Sequence, residues 1–189
     1  GESEARADTI ILARVDVEAQ KVWLISIPRD TRAEIPGHGV GKINGANFYG
    51  GPSLMVETVS QLLGVPIHHY MSVDLTGFQE VVDAVGGVWI DVDVEIDDWR
   101  AASHSPGGRA NNIQPGYQLL DGEYALTYVR SRNFPDADFT RMRHQQTFFK
   151  ALADQMSKLG NVLKIPSIVR ELSEHMSTDM SVSDLIDLG

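Results

Sequence analysis

Apolar residues recur in two rhythms along this chain, and each switch of rhythm marks an element. Thr9 to Val15 and Lys21 to Ile27 are β-rich runs separated by the turn-like residues 16–20, which predicts a hairpin or two adjacent buried strands. Pro28 stops the second run, because it has no amide to give a ladder, and leaves Arg29 and Asp30 at a strand end. Residues 31–51 are glycine-rich and read as irregular. Ser53 then reads as the cap of an amphipathic helix carrying Leu54, Val56, Val59, Leu62 and Leu63 to a stop at Gly64. A strand over His69 to Val73 and a helix from about Thr76 to Val85 follow, the latter closed by Gly86 and Gly87. Val88 to Val94 alternates as a strand with Asp91 and Asp93 on one face. Residues 97–118 hold no rhythm, and residues 103–108 read as a mobile loop. Asp121 caps a short helix to about Val129, a long helix runs from about Phe139 to Leu159, another follows Pro166 to about Met176, and a last one starts near Ser181. The order β-β-α-β-α-β predicts an α/β fold: one three-layer domain over residues 1–189, with a central mixed sheet covered by helices on both faces.

Composition narrows the function classes. A chain of 189 residues with 42% apolar content buries a real core, and 26 acidic against 16 basic residues give a formal charge of -10. Nucleic acid and anionic membrane surfaces need a basic face, so no nucleic-acid partner is expected and any anion site is local. The absence of cysteine removes disulfides, thiolate catalysis and thiolate-bound zinc. No apolar run reaches the roughly 18 residues of a membrane span, and both ends read as cut from a longer protein.

Against that acidity, Arg130, Arg132, Arg141 and Arg143 crowd into 14 residues, with Gln145 just beyond them. Guanidinium groups so close repel unless an anion lies among them, and their planar forks match phosphate or carboxylate oxygens in pairs. Arg141 and Gln145 share a helix face that continues through Phe148, Leu152 and Met156, either as core or as a path for an apolar tail. Arg143 lies off that face and reads as structural. Arg29 and Asp30 stand where an open α/β sheet places its ligand crevice, or else form a turn salt bridge. Asp8 is a hard oxygen donor of the kind Mg²⁺ takes beside phosphates, or a solvated strand start. His68 and His69 point to opposite sides of a strand and read as structural, and nothing in its spacing gives His144 a ligand role. The acidic run Asp91, Asp93, Glu95, Asp97 and Asp98 reads as a solvated strand face and its exit.

Taken in order, several segments resemble the LytR-CpsA-Psr family along nearly the whole chain. They are Arg-Ala-Asp-Thr-Ile-Ile-Leu at 6–12, Ser-Ile-Pro-Arg-Asp-Thr at 26–31, Lys-Ile-Asn-Gly-Ala at 42–46, Gly-Gly at 50–51, and Val-Asp-Ala-Val-Gly-Gly-Val at 82–88. Leu-Asp-Gly-Glu-Tyr-Ala-Leu-Thr-Tyr-Val-Arg-Ser-Arg at 120–132 and Asp-Phe-Thr-Arg-Met-Arg-His-Gln-Gln at 138–146 complete the set. The resemblance implies a bacterial cell-envelope phosphotransferase that uses Mg²⁺ to move an anionic glycopolymer from a polyprenyl-pyrophosphate carrier to a peptidoglycan acceptor. It implies a single N-terminal membrane helix with the catalytic domain outside the cell membrane, and a pyrophosphatase side activity when water replaces the acceptor. By motif position, Asp8 matches a metal aspartate; Arg29, Lys42, Arg130, Arg132, Arg141 and Gln145 match the pyrophosphate set, with Arg29, Arg130 and Arg132 catalytic. Phe148 and Leu152 fall where the family holds the lipid tail, and Asp30 and Asp138 match positions without an assigned role. The family's Gly-x-Asp-x-Arg segment, upstream of the position of Asp8, is not in this sequence. The rival readings are a non-catalytic polyprenyl-phosphate or glycan-binding module, and a transcriptional regulator, which the charge disfavours.

Overall fold

The computed structural model describes residues 7–16, 19, 21–158, 175–181 and 183–184. The chain packs as two compact units, Gly1–Ser72 with Thr178–Met180, and Val73–Ser177 with Ser181–Gly189. The α/β class stands, and each strand pairing given below is an antiparallel pair.

In the first unit, β1 (Ile10–Asp16) and β2 (Lys21–Ile27) form the expected hairpin, with Ile10 opposite Ile27. It is not buried along its length. Only the Ile10 and Ile27 end enters the core, while Val22, Trp23 and Ile25 are exposed. The stretch from residue 31 that reads as irregular contains a second hairpin, β3 (Arg32–Ile35) with β4 (Gly39–Lys42). Ala33 and Ile35 point inward and Arg32 and Glu34 outward, a period-2 pattern too short to stand out beside three glycines. Helix α1 (Gly45–Leu63) begins earlier than expected and is interrupted at Gly50 and at Gly51, whose φ of 65° and ψ of -160° suit glycine alone. Pro52 opens the second segment, so Ser53 lies inside its first turn instead of capping it. Gly64 ends the helix as expected, left-handed and donating to Ser60 O at 2.9 Å. Ile10, Ile27, Ala33, Ile43 and Val59 form this unit's core.

Strand β5 (Met71–Val73) leads to α2 (Leu75–Ala84), where Asp74, two residues ahead of the expected start, takes the cap bond from Gly77 N at 2.8 Å. Strands β6 (Val88–Val92) and β9 (Gly116–Leu120) pair with Val88 opposite Leu120, and β7 (Ile96–Asp97) pairs with β8 (Asn112–Ile113). The segment read as a mobile loop is two 3₁₀ turns, Ala101–His104 and Pro106–Asn111. It is tied to the start of α3 (Gly122–Arg130) by Ser105 Oγ on Glu123 (2.5 Å) and by Arg109 on both Glu123 (2.6 Å) and Asp121 (2.9 Å). Asp121 caps α3 as expected. Helix α4 (Asp138–Lys158) packs Phe148 into a core built with Val82, Val88, Ile90, Leu126 and Tyr128. The helix expected after Pro166 lies outside the described residues, except that its expected end falls in β10 (Met176–Thr178), a strand.

Candidate anion site

Two groups of charged side chains answer to the sequence expectation, one in each unit. In the second unit, α3 ends at Arg130 because Ser131 turns extended (φ -58°, ψ 139°) while its amide still bonds Thr127 O at 2.9 Å. The guanidinium of Arg130 donates to Ala101 O (3.3 Å) and to His104 Nδ1 (2.9 Å). Arginine has no acceptor, so His104 carries its proton on Nε2. Its place in an apparently loose loop gave no hint of this contact, and a register with an arginine cannot be seen from spacing.

Two residues past the helix end, Arg132 Nε lies 3.3 Å from Asp138 Oδ1, and Arg141 Nη2 reaches the same oxygen at 3.3 Å. Asp138 opens α4 directly after Ala137, whose φ of 32° is a left-handed value costly for any residue with a Cβ. The Arg141 side chain is 5% exposed. Its Nε, and Nη2 of Arg132, are buried without a hydrogen-bond acceptor among the described residues. Unmade hydrogen bonds from buried charged donors are expensive, so these nitrogens suit an acceptor richer in oxygens than one carboxylate. Gln145 is buried and donates from Nε2 to Val129 O at 3.1 Å, which holds the end of α3 against α4. Arg143 sits apart, paired with Asp93 at 2.9 Å, as its position off the face predicts.

Phe148 is fully buried, 5.1 Å from the Phe78 ring and 5.6 Å from Phe149, so its side chain is core. Leu152 is half-buried at the margin of that cluster, and the Met156 side chain lies outside the described residues. Asp93 and His144 likewise serve packing: His144 Nε2 bonds Asp93 Oδ1 at 2.9 Å. The acidic run is therefore not simply a solvated face.

In the first unit, Pro28 ends β2 and the following turn is pinned by Thr31 N to Pro28 O (2.9 Å) and Asn44 N to Arg29 O (3.1 Å). The Arg29 guanidinium pairs through Nη1 with Asp8, and its Nε lies 3.9 Å from Asp30 Oδ1 and is buried without a hydrogen-bond acceptor among the described residues. Lys42 Nζ pairs with Asp30 Oδ2 at 3.1 Å. Part-exposed pairs of this kind contribute about 0–1 kcal/mol, so an incoming anion displaces them at little cost. Among the described residues no group of three or more Asp, Glu, His or Cys can hold a metal ion. Asp8 nonetheless fits Mg²⁺ as one hard oxygen ligand, since that ion commonly takes one or two carboxylates and fills its shell with water and substrate phosphate.

The chain matches the LytR_cpsA_psr family over residues 1–189. It is 35% identical over 185 residues to the polyisoprenyl-teichoic acid--peptidoglycan teichoic acid transferase TagV of Bacillus subtilis (strain 168), covering 96% of this chain and 46% of that protein. It is 33% identical over 190 residues to the corresponding transferase TagU of Enterococcus faecalis (strain ATCC 700802 / V583), covering 96% of this chain and 57% of that one. Among solved structures, TagT bound to LIIa-WTA superposes with a TM-score of 0.83 at 30% identity, covering 99% of this chain and 70% of that one. The chain spans about half the length of the curated relatives it matches.

Proposed function

The chain belongs to the LytR-CpsA-Psr family, and from that premise we propose that it is a phosphotransferase moving an anionic glycopolymer from a polyprenyl-pyrophosphate carrier onto peptidoglycan. One observation carries the chemistry: Arg132 and Arg141 share a single ion-paired carboxylate, Asp138, Arg130 bonds only the Ala101 carbonyl and His104, and two buried nitrogens of Arg132 and Arg141 have no acceptor among the described residues. In a chain of charge -10, such a surplus of guanidinium is what a diphosphate requires.

In the reaction the acceptor hydroxyl oxygen forms a new bond to the phosphorus that carries the glycopolymer. The bond from that phosphorus to the bridging oxygen breaks, polyprenyl phosphate leaves, and the hydroxyl proton ends in solvent. Arg130 and Arg132 bind the diphosphate oxygens and offset the charge that builds on them, and Arg141 backs the same group from α4. Arg29 and Lys42 neutralise phosphate in the first unit, where Asp8 would hold Mg²⁺. The metal, when bound, supplies further charge neutralisation at phosphate oxygens. Leu152 marks the α4 face assigned to the lipid tail, whereas Phe148 acts through packing. The domain would work on the cell-wall side of the membrane, tethered by an N-terminal helix; no described helix is long and apolar enough to cross a membrane. Water in place of the acceptor gives a slow pyrophosphatase reaction.

Arg29→Ala and Arg130→Ala are each expected to lower glycopolymer transfer by about 10²–10³-fold with circular dichroism unchanged. Transfer assays with both variants at wild-type turnover would remove the mechanism. Full binding of the lipid-linked donor with no release of lipid phosphate by the wild-type chain would leave a binding module instead.

A further inference from the structure

Asp98 is one of the acidic residues that the sequence leaves in solvent, yet its carboxylate is among the most heavily bonded in the second unit. Oδ1 accepts from the backbone amides of Arg100 (3.1 Å) and Ala101 (3.0 Å), closing the first turn of the Ala101–His104 helix. Oδ2 accepts from Ser131 Oγ (2.9 Å) and from the Arg132 amide (3.1 Å). Ser131 is fully buried, so its hydroxyl has no water to turn to. The backbone of Asp98 is fixed as well, its amide on Asn111 O at 2.8 Å and its carbonyl taking the Ala102 amide at 3.1 Å. Next to it, Asp97 O accepts from Asn133 Nδ2 at 2.7 Å.

These bonds converge on the two arginines. The turn closed by Oδ1 carries both acceptors of Arg130, the Ala101 carbonyl and His104 Nδ1. The exit from α3 held by Oδ2 is the backbone of Arg132 itself. One rigid carboxylate therefore sets the direction of Arg130 from outside and the origin of Arg132 from below, across more than 30 residues of sequence. Burial raises the pKa of Asp98, and the bonds from Ala101, Arg132, Ser131 and Arg100 outweigh it and hold the carboxyl below the ordinary aspartate range.

We propose that Asp98 is the positioning residue that pre-sets Arg130 and Arg132 for phosphate, an inference that rests on reading those arginines as phosphate ligands. It touches no substrate; it removes the need to order two long side chains when the diphosphate arrives.

The test is a binding cycle with farnesyl pyrophosphate followed by calorimetry, in the wild-type chain and in an Arg130→Ala/Arg132→Ala background. Asp98→Asn keeps the shape but turns an NH₂ toward one pair of donors, and Asp98→Ala removes all four bonds. Each is expected to weaken binding by about tenfold in the wild-type background and by less than about twofold once the two arginines are gone. Equal losses in both backgrounds indicate a general structural role and overturn the proposal. Wild-type affinity in both Asp98 variants, with the arginine variant weakened, also overturns it while leaving the phosphate reading intact. An arginine variant that binds as well as wild type sinks the phosphate reading itself. Should Asp98→Ala fail to fold, Ser131→Ala replaces it, deleting one donor while the carboxylate keeps the other three. It is expected to weaken binding at an unchanged thermal midpoint, and wild-type affinity in both Ser131→Ala and Asp98→Asn overturns the proposal.

Discussion

His144 is enclosed by aromatic rings, stacked on Tyr128 at 4.3 Å and met edge-on by Phe134 at 5.2 Å, with 1% of its side chain exposed. Burial pushes its pKa below the ordinary 6.5 and outweighs the Asp93 carboxylate, which favours the charged ring; the nearby Arg143 adds to the lowering. The folded state thus prefers neutral imidazole donating from Nε2 to Asp93. Because the unfolded chain takes up this proton first, stability is full above the unfolded value and falls as pH drops through 6.5 toward the lower folded value. Asp93 acts in a separate, more acidic window. Its burial raises the pKa, but the bond and charge of His144 and the charge of Arg143 lower it below 3.8, so its stabilisation is lost only as pH falls through that depressed value. The thermal midpoint is expected to fall between about pH 7.5 and about pH 5, and His144→Gln should flatten that fall while lowering the midpoint at the higher pH. Parallel pH curves for the two proteins would show that His144 does not drive the loss. None of this was legible in the sequence, where His144 is one polar residue within the Thr-Arg-Met-Arg-His-Gln-Gln motif. The arginines were legible because their crowding violates a charge rule, whereas an imidazole gains its meaning from the rings around it.

Helices α2 and α3 meet at Gly122, where a Cβ would stand 2.5 Å from the carbonyl oxygen of Gln79 and 2.8 Å from its Cα. The close approach lets Gly122 N donate to Asp83 Oδ1 at 2.8 Å, so one residue supplies both the fit and a bond. The atoms in the way are backbone, which cannot swing aside. Gly122→Ala is therefore expected to destabilise the chain by about 1–3 kcal/mol, read from urea unfolding. Unchanged stability would mean that α2 slides at no cost. The same contact shows what the sequence could and could not say about elements. Asp121, Pro28 and Gly64 act within a turn of their own positions, and the boundaries they set were readable. Gly122, whose neighbour Gln79 lies in the preceding α-helix, reads in sequence only as the residue after a cap. The β3–β4 hairpin was missed for a related reason: its pattern is carried by Ala33 and Ile35, and β4 offers Gly39 and Gly41 where β-formers would signal a strand. The kink in α1 was missed because Gly50 and Gly51 sat inside a stretch already read as irregular.

The charge of the whole chain sets how it meets polyanions. With 16 basic against 26 acidic residues, its long-range field repels a phosphate backbone at physiological salt, where screening acts over about 8 Å. Four of the cations are committed to carboxylates: Arg29 to Asp8, Lys42 to Asp30, Arg109 to Asp121 and Glu123, and Arg143 to Asp93. Arg130, Arg132 and Arg141 instead stand in one group with a single ion-paired carboxylate, Asp138, which suits one compact anion and not a track of phosphates spaced along a helix. A duplex of mixed sequence should therefore show no gel retardation at about 0.15 M salt and about 10 μM protein, within the range where ordinary non-specific binders with basic faces respond. Retardation that disappears in Arg130→Ala would instead assign the arginines to a nucleic-acid backbone. That outcome would contradict the charge argument and the diphosphate reading together, because the first requires the net negative field to keep a phosphate backbone away and the second requires the three guanidinium groups for one compact anion.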